Sequence, residues 1–125
     1  MVNAKLQKQY GLFIDGEFVP ASDGGTFEAH NPANGEVLAA CAEATKEDVD
    51  KAVAAARRAL ASWRHTSPIE RQNYLLKIAD IIDENAEHLA LVETLDNGKP
   101  IRETSAVDIP MGSDHFRYFA GCIRA

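Results

Sequence analysis

The sequence predicts two β-hairpins followed by three to four α-helices, with residues 1–44 in strands and 45–125 helical. Three observations carry this. An Asp-Gly pair, Asp15 and Gly16, stands between two short apolar runs, which is the strongest local hairpin signal. The spacing of apolar residues changes from 2 to 3.6 at Thr45. From there on, helix-capping residues stand where the helical pattern starts.

The first hairpin lies in "GLFIDGEFVPA", with strands at about 12–14 and 17–20. A loop, "SDGG", leads to "TFEAHNPANGEVLAACAEAT", which gives a second strand pair around a turn punctuated by Pro32 and Gly35. Thr45 and Asp48 then open a helix expected over about 46–64, a variant of the capping box. Its apolar positions Val49, Ala52, Val53, Ala56, Leu60 and Trp63 form one stripe, expected to be buried, while Arg57, Arg58 and Arg64 load the end where the helix dipole favours cations. "HTSPIE" restarts the count, with Ser67 as N-cap, Pro68 at the first helical position and Glu70 closing a second box. This helix is expected to run unbroken to Asn97, about 30 residues and ~45 Å. Its apolar face, from Leu75 to Leu95, is too wide for a single neighbour.

The corner "LDNGKP" stops that helix, since Gly tolerates the left-handed conformation and Pro cannot continue a helix. A short helical turn in "IRETSAVD" follows. A last helix is expected to start with Asp108 as N-cap and Pro110 in its first turn, its apolar side formed by Met111, Phe116, Phe119 and Ile123. The pattern is still running at Ala125.

Composition bounds the function. The 125 residues make one ordinary domain, and 46% hydrophobic content is enough to build a core. With 13 basic against 19 acidic residues, a net charge of -6 and a pI near 5.1, the chain has no electrostatic footprint for nucleic acid or for an anionic membrane surface. No apolar run approaches the ~20 residues of a bilayer span, and the start lacks the apolar core of a secretory signal, so a cytoplasmic location is expected. The sequence holds no G-x-G-x-x-G, phosphate loop, G-x-S-x-G, H-E-x-x-H or paired Cys. Cys41 and Cys122 read as buried small hydrophobes, not nucleophiles, and the four histidines share no common face.

The segments "FIDGEFVPA", "NPANGEVLA", "KEDVDKAVAAARRALASW", "SPIERQNYLLKIADIIDEN", "ETLDNGKPIRET" and "DHFRYFAGCIRA" do carry a resemblance. In order and spacing they resemble the N-terminal portion of the NAD(P)-dependent aldehyde dehydrogenase superfamily, and look most like its bacterial acetaldehyde-type members. The resemblance implies an α/β fold, with this chain as the N-terminal part of a Rossmann-like cofactor-binding domain. It implies oxidation of an aldehyde to a carboxylic acid with NAD or NADP, by a homodimer or homotetramer. It also implies that the catalytic Cys, Glu and Asn and most of the cofactor site lie outside these 125 residues. The chain alone is then expected to be inactive, to bind no dinucleotide, and to self-associate through uncovered apolar helix faces. The alternative is a stand-alone, non-catalytic helical interaction module.

Two supporting sites follow from the resemblance alone. Asp96, with the backbone carbonyls of Ala29 and His30, occupies positions that hold a monovalent cation, Na or K, in many relatives. A carboxylate at a helix C-terminus faces the negative end of the dipole, so either such a cation or hydrogen bonds from the turn must compensate it. Val107 and Met111 occupy positions that line the substrate entrance.

Overall fold

A computed structural model describes residues 5–123, which form two compact units, one spanning Lys5–His65 and the other beginning at Thr66. In the first unit β2 (Leu12–Ile14) and β3 (Glu17–Val19) pair antiparallel, Phe13 opposite Phe18. Asp15 at φ 56° and Gly16 at φ 86° make the two-residue turn the sequence predicts. The two rings meet tilted, with centroids 5.0 Å apart. Gly11 precedes this hairpin because a Cβ there would meet the Val19 carbonyl oxygen at 2.8 Å.

The second strand pair is β4 (Thr26–His30) against β5 (Val37–Ala42), antiparallel as expected. Its connecting turn is closed by Asn31, whose N–H donates to the Glu36 carbonyl at 2.8 Å and whose side chain accepts from Ala33 N–H at 2.9 Å. The register slips after Ala29, which faces Ala39, so that His30 faces Val37 and Leu38 is the extra residue of a β-bulge. The sequence reading missed β1 (Gln9–Tyr10), which pairs parallel with β5 and completes a three-stranded sheet in the order β1-β5-β4. Two residues carry no alternation to detect.

Helix α1 (Lys46–Trp63) starts on the predicted box: Asp48 N–H donates to Thr45 Oγ1 at 3.3 Å, and Thr45 N–H donates to Asp48 Oδ2 at 2.9 Å. The predicted buried stripe is a different matter. Ala55 is buried, but Val49, Val53 and Leu60 are exposed. Arg58 reaches the first hairpin's turn, 2.9 Å from Asp15.

In the second unit α2 (Pro68–Glu84) starts with Glu70 N–H donating to Ser67 Oγ at 3.2 Å. The single helix expected to Asn97 is in fact two, α2 and α3 (Ala86–Asn97), because Asn85 leaves helical geometry at φ -112°, ψ 13°. The competition is local: Asn85 Nδ2 donates at 2.8 Å to the Ile81 carbonyl, which the Asn85 backbone N–H also meets at 3.2 Å, while that N–H is shared with the Ile82 carbonyl. After the corner comes α4 (Ile101–Glu103), then one π-helical turn over Thr104–Asp108, then α5 (Ile109–Cys122). Asp108 is therefore not the N-cap the sequence suggested; its backbone is helical, and its side chain makes no cap. The expectation that the helical pattern continues to Ala125 lies partly outside the described residues.

Helices α2 and α5 pack through small residues. Ala79 and Ala120 are fully buried, Ser113 is nearly so, and Ser113 Oγ donates to the Ala79 carbonyl at 3.3 Å. Arg117 fastens the same seam from its rim, donating to Asp80 at 3.0 Å and to Asp83 at 2.7 Å. Among the described residues, no helix is long and apolar enough to cross a membrane.

Candidate functional site at the corner between α3 and α5

The corner is built from its turn outward. Helix α3 ends because Gly98 adopts the left-handed conformation, φ 79°, with its N–H donating to the Thr94 carbonyl at 3.0 Å. Asn97 Oδ1 then accepts from Lys99 N–H at 2.8 Å, which fixes the start of the next segment. From Ile101 the chain is helical again, and it meets Pro110, whose ring would crowd the carbonyl four residues back and which has no N–H to give. The helix accommodates this by widening just before the proline: Ile109 N–H donates to the Thr104 carbonyl, five residues back.

Side chains hold this wide turn from several directions. Thr104 is fully buried, with its hydroxyl 2.9 Å from Thr94 Oγ1 and donating to the Ile101 carbonyl at 3.2 Å. Ser105 Oγ donates to the same carbonyl at 2.6 Å. Lys99 Nζ donates to Asp108 at the far end of the turn, and this contact raises the lysine pKa above its ordinary value. The sequence reading gave Lys99 no role of its own and had Asp108 as a cap. Nine positions apart and on neither period, the two gave no signal of their pairing.

Val107 and Met111, the pair expected at a substrate entrance, lie one turn apart on this segment, 47% and 51% exposed. Asp96 lies in the last turn of α3 and is exposed; the two N–H groups that follow it in the corner, those of Gly98 and Lys99, donate to Thr94 and Asn97. Ala29 and His30 belong to the other unit, adjacent at the bulged end of β4, where His30 Nε2 is 3.4 Å from Glu28.

The arrangement displays apolar surface on a braced turn; it does not assemble a nucleophile with a base. Cys41 is half-buried on β5 and Cys122 exposed at the end of α5, so the expectation that both are buried fails for Cys122. That thiol follows the buried Ala120 by two positions, which on a helix turns it off the packed side. Among the described residues, no group of three or more His, Cys, Asp or Glu could hold a metal ion.

The model of the aldehyde dehydrogenase family matches residues 18–125. The chain is 53% identical over 120 residues to an aldehyde dehydrogenase of Deinococcus radiodurans, which covers 96% of this chain and 23% of the relative. It is 55% identical over 120 residues to an acetaldehyde dehydrogenase of Pseudomonas aeruginosa, covering 96% of this chain and 24% of the relative. Among solved structures, the NAD+ complex of an aldehyde dehydrogenase from Bacillus cereus superposes with a TM-score of 0.88 at 46% identity, over 90% of this chain and 23% of that one. The chain thus spans about a quarter of the length of the curated relatives it matches.

Proposed function

The chain belongs to the aldehyde dehydrogenase family, and on that footing we propose that it forms the N-terminal part of an enzyme oxidising an aldehyde to a carboxylic acid with NAD or NADP. The observation that carries this reading is the unbroken match from residue 18 to 125, joined to structural similarity with a relative solved in its NAD+ complex. In this proposal the reacting groups come from outside these 125 residues, and the chain contributes the apolar surface of Val107 and Met111 to the aldehyde's path.

The residues described do not suit the dinucleotide itself. Left-handed glycines stand singly at turns, at Gly16, Gly24, Gly35 and Gly98. The starts of α1, α2 and α3 carry Glu47 and Asp48, Glu70, and Glu87. Negative charge in the first turn occupies the place where a helix would otherwise attract a phosphate.

The test is a paired assay with NAD or NADP and a short aldehyde, following reduced nicotinamide, on the 125-residue chain and on the longest protein product of its reading frame. Turnover is expected only from a product of the relatives' length. Turnover by the 125 residues alone, or none by a full-length product, would overturn the proposal.

A further inference from the structure

We infer that Lys99 and Asp108 are positioning residues: their ion pair holds the π turn so that Val107 and Met111 present a fixed apolar surface, and this sets how well large aldehydes are used relative to small ones. The inference rests on the proposed function, in which that surface faces the aldehyde.

The argument starts from the turn. A π turn is rare, and occurs mostly as a single widened turn inside an α-helix, frequently at a functional site. Here Pro110 demands a widening on its N-terminal side, but nothing in the proline fixes which residue bulges. Thr104 anchors the near end, through Thr94 and the Ile101 carbonyl. The far end has a different anchor, Asp108 on Lys99. Lys99 is itself held, since its N–H is bonded to Asn97 and it follows the left-handed Gly98. Val107 lies directly before Asp108 and Met111 three residues after it, so the tether acts on the backbone between the two exposed side chains.

Release of that tether leaves the extra residue free to migrate along the helix. Each residue of migration turns the segment it passes by about 100°, enough to carry Val107 off the face it now occupies. The pair is partly exposed, its side chains at 42% and 24%, and pairs of that kind add little to overall stability. Its effect belongs to geometry.

The experiment uses the full-length enzyme with Lys99→Met, Lys99→Arg, Asp108→Asn and Val107→Ala, and compares kcat/KM for a bulky aldehyde with kcat/KM for acetaldehyde. Lys99→Met and Asp108→Asn are expected to change that ratio by about fivefold or more, mainly through KM, within the range a reshaped apolar contact supplies. Lys99→Arg, which keeps the charge, is expected to restore it to within about twofold. Should Lys99→Met leave the ratio within about twofold of wild type while Val107→Ala moves it, the positioning role is wrong and the entrance reading stands. Should neither move it, both fall. If Lys99→Met does not yield folded protein, Asp108→Asn decides by the same criterion.

Discussion

Asp48 receives hydrogen bonds from two residues far apart in the chain. Ser22 donates from its N–H at 3.1 Å and from its hydroxyl, and Thr45 from its N–H and its hydroxyl, each at 2.9 Å. Asp48 is buried, at 3% exposure, yet the Ser22 hydroxyl first, then the backbone donors of Thr45 and Ser22, hold its pKa well below the usual carboxylate range. A capping residue has become a staple between the loop after β3 and the start of α1. Asp48→Asn should therefore lower the urea midpoint at neutral pH, through donors left without their charged acceptor. The sign with pH follows from linkage. The folded pKa lies below the unfolded one, so the contribution is complete above about pH 4, the unfolded value, and is lost as pH falls through the folded one. The gap between wild type and Asp48→Asn should stay flat from about pH 8 to pH 5 and close only in stronger acid. A gap that closes near pH 6 would contradict the assignment.

At the scale of elements, the seam between α2 and α5 is made of small side chains. Ala79 and Ala120 have no accessible surface, and Ser113 bonds directly to the opposing backbone. Ala79→Leu should destabilise by about 1–3 kcal/mol, the cost of forcing extra methylenes into a filled interior. Denaturant titration would show it, and a change within about 0.5 kcal/mol would mean the helices can slide apart to make room. What the sequence disclosed about elements follows local chemistry. Thr45, Ser67 and the Asp15-Gly16 pair act on their immediate neighbours, and the starts they announce stand where they were expected. The break at Asn85 was hidden because it sits inside an uninterrupted helical pattern, and the π turn because Asp108 and Pro110 imitate the start of a new helix. An Asn has no fixed role mid-helix, and Pro110 near a presumed helix start gives no hint that the preceding turn is wide. The candidate site was legible only in part: the resemblance supplied Val107 and Met111, while the braces at Thr94, Thr104 and the Lys99–Asp108 pair depend on a fold that periodicity does not encode.

At the scale of the whole molecule, the fully buried apolar residues among those described are alanines: Ala21, Ala39, Ala55, Ala79, Ala90 and Ala120. Many of the larger apolar side chains are exposed, among them Phe18 at 75%, Phe119 at 58% and Ile69 at 55%, while others such as Leu75, Ile82, Leu89 and Phe116 are half-buried. Surfaces of that kind drive association when left uncovered. The 125-residue chain on its own is therefore expected to bind a hydrophobic dye strongly and to elute in size-exclusion chromatography above its 13.6 kDa. A sharp monomer peak without dye fluorescence would refute this. This partly wet apolar surface also has a calorimetric consequence. Heat capacity rises on unfolding because greasy groups become hydrated, at about 12–15 cal/mol/K per residue in ordinary domains. Large side chains already wet in the folded chain leave less for melting to expose, so this increment should fall below that range and the curve of stability against temperature should be shallow, with no steep loss at either extreme.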